Sequence, residues 1–149
     1  AAPNALATLQ QIANAGLAQG VLADAQPFTL MQLLRCLKAQ GQLPPLGDLF
    51  QPALMVLSYQ REIRKPSKSL YQAFLKSCQE NGLGPEEVLY VSSRLPDDLG
   101  VAKSFGMRTA LYAGDKISLR ATKQEISDPQ LRPDRLLTDL AQIAEVLGL

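Results

Sequence analysis

The chain has 149 residues and no histidine, which removes imidazole acid/base catalysis, His-activated nucleophiles and the commonest zinc ligand together. Its chemistry must run on carboxylates, Lys, Ser or backbone. Side chains of those types follow short apolar runs: Asp24 after Val21-Leu-Ala23, Ser58 after Ala53 to Leu57, then Lys65 beside Pro66, and Ser92-Ser93-Arg94 with Asp97-Asp98 after Val88 to Val91. An open parallel sheet holds its ligands at the carboxyl ends of its strands, so these positions are the candidate site. Each also has a structural reading. Lys65 can be a solvated lysine beside a helix-starting proline, and Asp97 and Asp98 can cap the helix that follows. Ser58 and Tyr71 read as loop and helix-surface residues, and Asp24 as a cap for the helix after Pro27.

The elements that must carry these residues alternate. Leu6, Leu9, Ile12 and Ala13 recur at helical spacing, with Asn4 placed to cap and Gly16 to stop. Leu17 to Ala23 reads as a first buried strand, Thr29 to Ala39 as a second helix, Gln42 to Pro52 as a loop and Ala53 to Leu57 as a second strand. Pro66 opens a third helix with Leu70, Phe74 and Cys78 four apart. Val88 to Val91 is a third strand, Asp98 to Phe105 a short helix, and Thr109 to Ala113 a fourth strand. Asp115 to Asp128 is polar and irregular. Pro133-Asp134 starts a last helix with Leu136, Leu140, Ile143 and Leu147 as its core stripe. This alternation predicts a doubly wound α/β domain with a parallel sheet of about four strands, spanning residues 1–149.

With 46% hydrophobic and 19% charged residues the chain is an ordinary globular domain by composition. Fifteen basic and 14 acidic residues leave a net charge of +1, and no basic block is interleaved with aromatics, so neither nucleic acid nor a membrane surface is an expected partner. No apolar run reaches the roughly 18 residues of a membrane span, and no signal layout opens the chain. Cys36 and Cys78 lie in amphipathic helical patterns and read as buried free thiols, which points to the cytoplasm. Ala1-Ala2-Pro3 looks like a cut end, so the domain is expected to be incomplete at its N-terminus.

In this order the residues resemble the haloacid-dehalogenase-like (HAD) hydrolases, mostly magnesium-dependent phosphatases. Val21 to Gln26 is similar to the family's second motif, and Leu57-Ser58 with Arg64-Lys65-Pro66 to the approach to its third. Val91 to Asp98, with Ala102-Lys103 and Phe105-Gly106-Met107, is similar to the fourth. Tyr112 to Arg120, Arg132-Pro-Asp134 and Thr138-Asp-Leu140 are similar to the tail of one branch. The resemblance implies a Rossmann-like HAD core hydrolysing a small phosphorylated substrate. It implies Lys65 as the catalytic, charge-neutralising lysine, Ser58 with Lys65 as phosphate-binding residues, and Asp98 and Asp97 as ligands of Mg2+, with Asp98 the better match.

The same resemblance exposes departures. The family's attacking Asp belongs to an Asp-x-Asp after an apolar strand, and no such pair is present. Ala23 stands at the phosphate-binding hydroxyl, Ser92-Ser93-Arg94 at a glycine and a metal-binding acid, and Arg94 adds positive charge at the metal's place. The resemblance therefore implies the C-terminal core portion of a phosphatase-type hydrolase, inactive as this chain alone, with the central nucleophile strand missing. The sheet would then be filled by an upstream segment, a second chain or a homodimer, or be rearranged so that the neighbouring strands close the gap. The alternative is a non-catalytic α/β interaction or dimerisation domain on the same fold. A dehalogenase-like site, which Val91-Ser-Ser93 also resembles, needs the same absent Asp.

Overall fold

A computed structural model describes residues 2–61 and 67–149. Helix α1 (Ala5–Asn14) buries Leu6 and Ile12 and stops at Gly16, whose φ of 77° suits a residue without Cβ. Asn4 does not cap it through its side chain; its amide instead donates to the Asp139 carboxylate at 3.2 and 3.3 Å. Strand β1 (Val21–Ala23), helix α2 (Thr29–Lys38), a short helix α3 (Leu46–Leu49) inside the expected loop, and strand β2 (Met55–Leu57) follow. Then come α4 (Ser58–Arg61), α5 (Lys68–Glu80), β3 (Leu89–Ser92), α6 (Gly100–Ser104), β4 (Arg108–Tyr112), α7 (Lys123–Ser127), β5 (Arg135–Leu137) and α8 (Gln142–Leu147).

All five strands run parallel. β1 pairs with β2 in the register Leu22 to Val56, and β3, β4 and β5 form a second group with β4 in the middle, Val91 opposite Ala110 and Leu111 opposite Leu136. The strands are Rossmann-like, with helices packed on both faces. Leu70, Tyr71, Phe74 and Cys78 of α5 and Ala102 of α6 pack with Leu22, Val56, Tyr90 and Leu111 of four strands in one cluster. Ile12 of α1 and Ile143 of α8 pack on Ala110 and Leu137 in another. Cys78 is buried, whereas Cys36 is exposed on α2, against the expectation of two buried thiols.

Two expectations are overturned. The chain is not a core of about four strands truncated at a central nucleophile strand: five parallel strands, two and three, span it from end to end. The join between the two groups is made by side chains. The first cluster draws on both, and the Tyr90 hydroxyl of β3 donates to the Leu22 carbonyl of β1 at 3.2 Å. A buried acceptor that would cost roughly 1–3 kcal/mol unpaired is thereby satisfied without a further strand.

The unforeseen strand is β5, in the segment read as the start of the last helix. Asp134 takes the Thr109 amide (2.7 Å) and hydroxyl (3.1 Å) on its carboxylate and gives its own amide to the Thr109 carbonyl (3.0 Å), which lays the following residues along β4. Leu136 is then 56% exposed and Leu137 2%, the alternation of a strand. The Gln142 side-chain oxygen accepts from the amides of Thr138 and Asp139, and α8 starts only there.

Candidate functional site

The carboxyl ends of β1, β2 and β3 carry the residues singled out above. At the end of β2, Ser58 is 5% exposed and turned inward. Its hydroxyl accepts from the Ala25 amide at 3.0 Å and lies 3.4 Å from the Ala25 carbonyl, so it fastens the turn after β1. Lys65, with Arg64 and Pro66, lies outside the described residues. Asp24 is exposed at the end of β1.

At the end of β3 the chain enters a π-helical turn, Leu95–Leu99, with Pro96 in its first positions. The amides of Asp98 and Leu99 both donate to the Arg94 carbonyl at 3.2 Å. Asp97 and Asp98 therefore lie inside the turn, and neither is the residue that precedes it. Ser92 donates its hydroxyl to Asp98 Oδ2 at 2.6 Å and accepts the Arg94 amide at 3.2 Å. The Asp98 side chain is thereby held to the strand it follows; the residue is 4% exposed. Arg94 Nη2 donates to Asp97 Oδ2 at 2.9 Å, with both side chains about half exposed.

The backbone around Arg94 is fixed as well. Arg120 bridges to it in parallel: the Arg120 amide donates to the Ser93 carbonyl and the Leu95 amide to the Arg120 carbonyl, both at 2.8 Å. The Asp97 hydrogen bond, followed by the charges of Asp98, Asp97 and Asp24, holds the guanidinium more firmly protonated than usual.

Beneath the turn lie two buried tyrosines. Tyr71 is fully buried, against its reading as a helix-surface residue, and its hydroxyl reaches the Asp98 carbonyl (3.3 Å) and the Asp97 carbonyl (3.5 Å). Tyr71 and Tyr90 meet edge to face with centroids 6.0 Å apart. Burial first, and the Asp98 carboxylate second, push both hydroxyls well above the ordinary phenol range, so both stay neutral. Sequence reasoning overlooked these supports. A signal for Tyr71 was there, since it stands three and seven residues before Phe74 and Cys78, on the edge of the same helical face. For the Arg94–Asp97 pair the signal was the i,i+3 spacing.

This geometry sits in a chain with clear relatives. A model of the HAD-hydrolase-like family matches residues 62–143, more than half of the chain, and the chain belongs to that family. A glyceraldehyde 3-phosphate phosphatase from Pyrococcus furiosus is 27% identical over 146 residues, 97% of this chain and 53% of that protein. Among solved structures, a HAD phosphatase from Thermococcus onnurineus matches at a TM-score of 0.72 and 18% identity, covering 98% of this chain and 57% of that one. The HAD-hydrolase YfnB from Bacillus subtilis, bound to magnesium, matches at 0.74 and 14%, covering 98% and 55%. These structural likenesses show the fold. The chain spans about half the length of the curated relative it matches, 53%.

Magnesium asks for near-octahedral oxygen ligands, among them one or two carboxylates free to face the ion. At the end of β3 one Asp97 oxygen is engaged by Arg94 and one Asp98 oxygen by Ser92. Among the described residues no three His, Cys, Asp or Glu side chains gather as a metal-holding group. The described residues do not fit a magnesium set.

Proposed function

We propose that this chain is the C-terminal core portion of a phosphatase-type hydrolase acting on a small phosphorylated molecule, and that these 149 residues do not turn a phosphate ester over by themselves. The observation that carries the reading is the engagement of the strand-end groups with one another. Ser58 is spent on Ala25, Ser92 on Asp98, and Arg94 on Asp97. Phosphoryl transfer needs an in-line nucleophile and unspent positive charge around the transferred group, and the sequence offers no Asp-x-Asp after an apolar strand. Lys65 is the remaining group of the right type for charge neutralisation, by resemblance. A cytoplasmic setting belongs to the same proposal and is supported by the two free thiols; no helix of the described residues is long and apolar enough to cross a membrane.

The test is p-nitrophenyl phosphate hydrolysis by the 149-residue chain with and without magnesium. No release above the buffer rate is expected. Magnesium-dependent release that Asp98→Asn or Lys65→Ala abolishes would sink the inactive reading. The intact mass of the naturally produced protein checks the other half: a value well above 16.2 kDa is expected, and 16.2 kDa itself would refute a core portion.

A second reading, a non-catalytic interaction or dimerisation domain, is favoured by α2. Only Leu37 of that helix is buried, and Phe28 and Met31 at its start are 57% and 56% exposed. Sedimentation at several concentrations separates the readings for a homodimer, because a strictly monomeric chain would tell against it.

A further inference from the structure

The misfit between the end of β3 and magnesium has a positive content. We infer that this strand end is built around a guanidinium: Arg94 supplies the positive charge there, and the site takes no divalent cation. The inference rests on the reading of the strand ends as the functional site and specifies the cofactor requirement of that site.

Arg94 is held from three directions. Its backbone is clamped by the Arg120 bridge, its carbonyl accepts from the amides of Asp98 and Leu99, and its side chain is anchored on Asp97 Oδ2. A divalent cation entering here would have to share the Asp97 carboxylate with a fixed cation one hydrogen bond away. Asp98 is turned inward, with Oδ2 taken by a 2.6 Å bond from Ser92, itself fixed by the Arg94 amide. The arginine thus opposes the metal by its charge and by taking one of the two Asp97 oxygens.

The experiment measures the melting temperature of the 149-residue chain and two variants, Arg94→Gln and Arg94→Lys, against MgCl2 or MnCl2 up to about 10 mM, with NaCl controls at matched ionic strength. For the wild type and Arg94→Lys, no saturable rise with either metal is expected. Arg94→Gln should melt about 2 °C lower at low ionic strength, and the gap should close as NaCl screens the attraction between Arg94 and Asp97 that the substitution removes. A saturable rise of the wild type with magnesium would overturn the inference. So would an Arg94→Gln variant with the melting point and salt dependence of the wild type. Neither readout involves turnover, so the result stands apart from the hydrolysis assay.

Discussion

Replacing Tyr90 by Phe tests the claim that side chains join the two strand groups. The ring stays, so the packing against Tyr71 and the cluster around Leu111 is kept, and one oxygen is removed together with its bonds to Leu22 and to the Tyr71 hydroxyl. Tyr90 is 9% exposed, and its hydroxyl donates to the Leu22 carbonyl at 3.2 Å in a buried setting. A net hydrogen bond is worth about 1 kcal/mol, and a buried acceptor left without its donor raises the cost towards roughly 3 kcal/mol. The expected loss is therefore about 1–3 kcal/mol, or a fall in melting temperature of roughly 2–4 °C for each kcal/mol in a chain of this size. Urea unfolding followed by far-ultraviolet circular dichroism reads it as a lower midpoint at unchanged m. A change below about 0.5 kcal/mol, the scatter of neutral substitutions, would refute the bridging role. A changed m would show instead that the two groups unfold separately without the hydroxyl.

Alkaline pH should act through the same tyrosines. Tyr71 and Tyr90 have folded pKa values raised above the unfolded one, so their contribution is intact below about pH 10 and is lost as pH climbs above it, by about 1.4 kcal/mol per pH unit for each group. In a Tyr59→Phe, Tyr112→Phe background, phenolate absorbance should appear only together with unfolding; ionisation of the folded chain would contradict the burial argument. Asp134→Ala removes both bonds to Thr109, whose side chain is fully buried, and should cost about 1.5–3 kcal/mol. Hydrogen exchange at the Ala113 amide, which bonds to the Leu137 carbonyl, should speed up with it; an unchanged rate would mean β5 is held by something else. Gly20→Ala puts a Cβ 2.6 Å from the Leu54 carbonyl oxygen, an overpacking cost of about 1–3 kcal/mol by thermal melt, and a neutral result would show that the β1–β2 entrance gives way.

The sequence was most informative where a pattern is local and long. α1, α2 and α5 each carry several apolar positions at helical spacing, and β1 to β4 follow from short apolar runs ended by polar residues, which is also why the strand-end residues could be named. β5 was hidden for a physical reason. A three-residue strand shows a single alternation, while Leu136, Leu140, Ile143 and Leu147 present a helical period by coincidence, and the bond that decides between them comes from Thr109, 25 residues away from Asp134.

The site shows the same limit in chemical terms. Residue type could propose Ser58, Asp97 and Asp98 as ligands, but a ligand is defined by lone pairs and donors left over after folding, and those depend on partners. Ser58 meets Ala25 across 33 residues. Asp98 meets Ser92 six residues back, across the turn after β3. The bonds around that turn hold Ser92, Arg94, Asp97 and Asp98 in one interlocked set, which puts an arginine where the resemblance implies a metal.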